Sequence, residues 1–136
     1  MDNKQLKLLA DTAALAGELM LTSGAETYRA ENTMAHILRK GTNARITTLA
    51  LITSIIITIE EEDFAPITIV RRISGGSTKL SRITRVNEIS RDYCDDKITL
   101  EEAYDQLLNI PAREYNATWF NVGTVGVAAG FTMFFG

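Results

Sequence analysis

Between Gln5 and Leu21 the apolar residues Leu6, Leu9, Ala13, Ala16 and Met20 recur at helical spacing, with Asp11 and Glu18 off that row. This pattern predicts a first amphipathic helix. Ser23-Gly24-Ala25-Glu26 has the form of a capping box, in which a serine hydroxyl accepts from the third amide of a new helix and a glutamate reaches back. A second helix is therefore expected from Gly24 to about Lys40. Its apolar row is Ala30, Met34, Ile37 and Leu38, and Gly41 is placed to supply a left-handed stop. The short connection between the two favours an antiparallel helical hairpin.

From Arg45 to Glu60 the chain is rich in Ile and Thr, whose branched Cβ atoms favour extended backbone. The stretch is too long for one ordinary strand, and it reads as Arg45 to Ala50 and Thr53 to Glu60 with a break or bulge between. Glu60 to Asp63 is a charged turn, and Pro66 to Ile73 a third strand ended by Gly75-Gly76.

Helical period returns from Thr78 to Tyr93, with Leu80, Ile83, Val86 and Ile89 inward and Lys79, Arg82 and Arg85 outward. Ser77 and Thr78 read as its cap. Thr99-Leu100-Glu101-Glu102 repeats the capping-box pattern and opens a helix through about Asn109, ended by Pro111. The fold class expected is α/β (α+β): a helical hairpin, a three-stranded mostly antiparallel sheet, two further helices and a C-terminal transmembrane-type helix.

Charge separates that last segment from the rest, because every Asp, Glu, Lys and Arg lies between Asp2 and Glu114. Crossing a hydrocarbon core near 30 Å takes roughly 20 helical residues, and Ala117 to Gly136 supplies them without a charge. Tyr115 and Trp119 stand where amphipathic rings prefer the headgroup level, and Gly126 and Gly130 form a GxxxG pair. The pattern predicts a soluble domain over 1–111 and the start of a first span over 112–136. The run ends at Gly136 without a polar anchor, so the natural chain is expected to continue. The N-terminus lacks the unbroken apolar stretch and small-residue cleavage site of a secretory signal, so the domain is expected to stay in the cytoplasm.

A net charge of −3 excludes a dedicated nucleic-acid binder, which needs a basic face to displace counterions. Cys94 is the only cysteine and His36 the only histidine. No internal disulfide can form, and neither a two-histidine metal site nor a triad with a second imidazole can be built. Ser54 lacks the Gly-x-Ser-x-Gly elbow, and Gly75-Gly76-Ser77-Thr78 lacks the lysine of a phosphate-binding loop. No catalytic residue, metal or cofactor is expected.

The densest polar cluster is Glu26, Thr27, Tyr28, Arg29 and Glu31, whose carboxylates can relay protons or bind a cation or amine if partly buried, or simply cap and solvate a helix. A second group, Arg71, Arg72, Lys79, Arg82, Arg85 and Arg91, suits a carboxylate, a phosphate or anionic headgroups, or pairs with acidic neighbours such as Glu60 to Asp63.

Three stretches, SGAETYRAE at Ser23 to Glu31, TSIIITI at Thr53 to Ile59 and KLSRITRVNEISR at Lys79 to Arg91, together resemble the N-terminal domain of the threonine/serine exporter family. An AGF-type glycine pattern follows at Ala129 to Phe131. The family also includes two-component relatives proposed to export dicarboxylates such as succinate. The resemblance covers essentially the whole chain and implies a bacterial transporter component rather than an enzyme, multi-pass in the cell membrane. Its implied partners are the lipid bilayer, the remaining transmembrane helices or a separate small membrane subunit, and a small carboxylate-bearing substrate; a homo-oligomer is compatible with it.

The family pattern falls on Gly24, Glu26, Thr27, Tyr28, Arg29 and Glu31, on Thr53 and Ser54, and on Asn87, Ser90 and Arg91. Ile52 stands where the family often has proline, which leaves the kink between the first two strands open. Export driven by the proton motive force is the leading expectation. Glu26, Arg29 and Glu31 would receive or orient the substrate, Thr27, Tyr28 and Ser54 would belong to the same substrate-binding or gating set, and Asn87 and Arg91 would brace it. The alternative is a regulatory or subunit-assembly module that senses a metabolite while the membrane part alone transports.

Overall fold

The computed structural model describes residues 2–76 and 78–114. The elements are α1 (Asn3–Thr22), α2 (Thr27–Gly41), β1 (Arg45–Leu51), β2 (Ser54–Glu60), β3 (Ile67–Arg72), α3 (Leu80–Cys94) and α4 (Leu100–Glu114), an α+β fold as expected. The expected spanning helix, Ala117–Gly136, lies outside the described residues. Among those described, no helix is long and apolar enough to cross a membrane.

α1 and α2 form the antiparallel hairpin, since Gly17 lies against Met34 while Gly41 lies against Leu9. The joint between them differs from the predicted one. Ser23 is the C-cap of α1, and the helix closes in a Schellman motif: the Ala25 amide donates to Met20 O at 2.9 Å and the Gly24 amide to Leu21 O at 3.1 Å. Gly24 takes the left-handed conformation this requires, with φ of 94°. The N-cap of α2 is Glu26, with no side-chain cap bond, so Ser23 and Glu26 do not form a capping box. A glycine one residue after a serine fits a helix stop as well as a helix start, and the stop prevails here.

Gly41 is also not the expected left-handed stop, because it remains inside α2. Its role is close approach: a Cβ there would sit 2.6 Å from both Leu9 methyls and 3.0 Å from the Tyr93 hydroxyl.

The sheet has the order β1-β2-β3, antiparallel throughout. The break at Ile52 is a two-residue reversal, with Leu51 paired to Ser54. Ile55, Ile57 and Ile59 of the central strand are fully buried, while Ile56 and Thr58 alternate to the other side. That inner face lies on α1 and α2, and α3 and α4 pack on the far side of the same helical pair. α1 is thus the middle of three layers and is buried on most of its circumference, through Leu6, Leu9, Ala10, Ala13, Ala14, Ala16, Gly17 and Met20. Its small residues let neighbours approach from several sides.

In α3, Leu80 is exposed and Arg82 buried, the reverse of the predicted pattern. The buried stripe is centred on Val86 and Tyr93; at 100° per residue Leu80 falls about 120° from that centre and Arg82 only about 40°. The N-cap of α3 is Lys79, so Thr78 does not cap it. The predicted box at α4 is present in full: Glu102 N donates to Thr99 Oγ1 at 3.1 Å and Thr99 N to Glu102 Oε1 at 2.8 Å. Pro111 does not end α4, which runs on to Glu114. Proline forfeits one amide of the helical ladder without stopping a helix otherwise held by packing at Leu107 and Ile110.

Candidate functional site

On α2, the polar residues Arg29, Asn32, Thr33 and His36 follow one another at spacings of three and four, which places them on one helical face. On α3, Asn87, Ser90, Arg91 and Cys94 do the same. The two faces meet in an open groove of about 360 Å³, with Asp95 at its end. Thr33 and Ser90 are buried at the floor, and Arg29 and Arg91 are exposed at the rim.

The groove is dipolar: two guanidiniums can grip a carboxylate in forked geometry, hydroxyl and amide groups lie between, and Asp95 adds one negative charge. His36 Nδ1 stands 2.8 Å from the Asn32 carbonyl, which can only accept, so the ring carries its proton there and a neutral His36 presents Nε2 as an acceptor. Burial pushes the Cys94 thiol above its ordinary range, with Asp95 adding to this and Lys40 opposing it. Its Sγ donates to the His36 carbonyl at 3.7 Å.

Of the residues singled out from sequence, Arg29, Asn87, Ser90 and Arg91 come together here, joined from two motifs far apart in the chain. The others do not line the groove. Glu31 points to the opposite side of α2, where its Oε2 accepts from the Ala50 amide of the edge strand β1 at 2.8 Å. It satisfies a strand-edge donor and ties α2 to the sheet. Glu26 and Tyr28 are exposed at the start of α2, and the Tyr28 hydroxyl bonds Glu26, which raises the pKa of the phenol. Thr27 begins α2, and Ser54 sits at the end of the sheet between Leu51 and Arg72. Asn32, Thr33, His36 and Asp95 were not singled out as groove residues, although the row Arg29-Asn32-Thr33-His36 carries a readable helical period.

A second polar cluster joins the layers. Arg71 of β3 reaches α1, with Nη1 3.1 Å from Glu18 Oε1 and Nη2 3.7 Å from Asp11 Oδ1. The basic stretch therefore does not pair as a unit with Glu60 to Asp63: Arg71 takes Asp11 and Glu18, and Arg85 takes Glu88 and the Gln106 amide oxygen. Asp11 and Glu18 are two turns apart on one face, so the carboxylates that interrupt the apolar row of α1 have a partner inside the fold.

Burial raises the Glu18 pKa, with Arg71 opposing through its charge and its hydrogen bond. A raised folded-state value means that the Glu18 contribution is fully favourable below the unfolded-state carboxyl value and is lost as pH rises through the folded one. Glu18→Gln, which keeps an acceptor for Arg71, is expected to raise the urea midpoint at about pH 7 and leave it unchanged at about pH 4. Equal shifts at both would contradict this.

Among the described residues no group of three His, Cys, Asp or Glu side chains could hold a metal ion. The family model of the threonine/serine exporters (ThrE) matches residues 11–136. The chain belongs to the threonine/serine exporter family. It is accordingly part of an exporter-type membrane protein, and the family is one of transporters, not of enzymes. No curated protein and no solved structure matches the chain.

Proposed function

We propose that residues 1–111 form the cytoplasmic receiving domain of a threonine/serine exporter driven by the proton motive force, that 112–136 begin its first span, and that the α2–α3 groove takes up the substrate. The observation that carries this reading is the convergence of Arg29, Asn87 and Arg91 from two separate motifs on one groove. Arg29 and Arg91 bind the substrate carboxylate, and Asn87 orients it. Asp95 suits the ammonium of an amino acid, and Ser90 and Thr33 suit its hydroxyl, which favours threonine or serine over a dicarboxylate. Glu31 acts indirectly, by holding α2 against β1 so that Arg29 keeps its place. Transport follows when the loaded domain docks on the membrane helices in one state of the alternating cycle more tightly than in the other.

Cys94 lines the groove and is the only cysteine in the chain, so its alkylation reports occupancy directly. Saturating threonine or serine slows maleimide labelling of Cys94, succinate slows it less, and an uncharged polyol of similar size leaves it unchanged. A labelling rate indifferent to all of them would remove the groove as the receiving site.

A further inference from the structure

The elements share one axis, and its two ends differ in chemistry. The hairpin contacts put the start of α1 beside the end of α2. The Lys40–Asp96 pair and the Gln5–Glu101 bond bring the α3–α4 loop and the start of α4 to that same end. This end carries Glu60, Glu61, Glu62 and Asp63 of the β2–β3 turn together with Asp95 and Asp96, and with Asp2, Glu101 and Glu102 its carboxylates outnumber its cations Lys4, Lys7, Arg39, Lys40, Arg45 and Lys97. At the opposite end the Ile73 amide donates to Thr53 O at 2.8 Å and the Lys79 amide to Ser23 O at 3.0 Å. The β1–β2 turn, the end of β3 and the first turns of α2 and α3 therefore lie together there.

That second end exposes large apolar side chains: Ile52 is 81% exposed, Leu80 71% and Tyr28 58%. Arg29 and Arg72 are exposed beside them, and among the described side chains Glu26 is the exposed carboxylate there. Helix caps follow the same division. α1 is capped by Asp2 and α4 by Thr99 with Glu102, both at the acidic end, whereas the N-cap residues of α2 and α3 make no side-chain cap bond. The first-turn amides of α2 thus add partial positive charge to the apolar end.

α4 also leads there. Gln5 lies beside Glu101, and Asp11 and Arg71 lie near enough to Tyr104 to act on its pKa, so α4 runs parallel to α1. At about 1.5 Å per residue, Glu114 comes roughly level with the last turn of α1, between Glu18 and Leu21. The chain then continues from Tyr115 as an uncharged, largely apolar run.

We propose that this end, with Ile52, Leu80 and Tyr28 as apolar contacts and Arg72 as its cation, rests on the headgroup layer of an anionic bilayer. The acidic end then points away from it. Amphipathic aromatic and aliphatic contacts flanked by arginine are what an interfacial surface requires, and a negative lipid surface repels the carboxylates of the far end. Resting this end on the bilayer fixes the tilt of the domain and holds the α2–α3 groove, whose rim includes Arg29, close to the start of the transport path. The inference rests on the reading of 112–136 as the start of a span.

The test uses the full chain with Cys94→Ser, a single cysteine at Ile52→Cys, Leu80→Cys or Glu62→Cys, and an environment-sensitive fluorophore on it. The labelled chains are reconstituted into vesicles of phosphatidylcholine with or without phosphatidylglycerol, and brominated lipid is the quencher. Quenching is expected at 52 and 80 and not at 62, stronger with phosphatidylglycerol. Arg72→Glu should lower the docked-to-undocked ratio at 52 by at least about fivefold, the factor one surface cation contributes. Equal quenching at 52 and 62, or no dependence on anionic lipid, would overturn the proposal. Protection of 52 from an aqueous quencher without lipid quenching would assign the surface to a protein partner and overturn it too. Failure of the chain to float with vesicles would overturn the span reading along with it, whereas flotation without quenching at 52 overturns this inference alone.

Discussion

Arg29→Ala and Arg91→Ala together lower threonine export by the full-length protein by about a hundredfold or more, with membrane insertion unchanged. Each arginine is expected to give a charge-assisted contact to the substrate carboxylate, and the loss of one such contact weakens binding by about tenfold to a hundredfold. Both side chains are exposed, so removing them leaves no buried charge unpaired and the fold is not at risk. Each single variant is expected to raise the half-saturating substrate concentration, and the pair to do so by roughly the product of the two factors if the carboxylate bridges them independently. Radiolabelled threonine uptake into inverted vesicles, whose outer face is the cytoplasmic one, measures this. Uptake unchanged in the double variant would exclude the rim arginines from substrate handling.

The largest effect on stability is expected at Ile57. It lies at the centre of the middle strand, with Thr48 on one side and Ile69 on the other, and is fully buried under the helical pair. Ile57→Ala costs about 2–5 kcal/mol, the transfer of the lost methyl and methylene groups plus the cavity left behind, against a total of about 5–15 kcal/mol for a domain of this kind. Ile56→Ala, one residue away but on the uncovered face, is expected to cost well under half as much. Urea unfolding of the two variants decides between them, and similar losses would mean that the face toward α1 and α2 is wrongly assigned.

Branched residues in an extended run make the strand that carries Ile55, Ile57 and Ile59 legible in the sequence, as helical period does for Leu6, Leu9, Ala13, Ala16 and Met20. Such signals are clearest where an element is buried against one neighbouring layer. They fade where an element meets several layers: α1 reads as amphipathic from its strongest row, although Ala10, Ala14 and Gly17 are buried as well. Local motifs proved ambiguous where glycine has two uses. The same box pattern is real at Thr99 and absent at Ser23, because Gly24 closes the preceding helix there.

The site divides along similar lines. Residue types at Ser23 to Glu31 mark a region of interest, but not which member faces a partner helix. That depends on the orientation of α2, and it sends Arg29 to the groove and Glu31 to β1. Pairing over long sequence distance was also hidden: nothing local to Arg71 points to Asp11 and Glu18, which lie across the fold on α1. The charge division between the two ends emerges only when the turns Glu60 to Asp63 and Asp95-Asp96 are seen to lie together.

The receiving role of the α2–α3 groove is tested most directly by nuclear magnetic resonance of the isotope-labelled chain titrated with threonine. The side-chain Nε–Hε signals of Arg29 and Arg91 and the carboxamide signals of Asn87 should move together along one saturable curve, while the Arg71 signal, locked to Asp11 and Glu18, stays in place. Arg29, Asn87 and Arg91 signals that do not move at saturating threonine, or movement confined to the surroundings of Glu31 and Ala50, would contradict the groove as the substrate site.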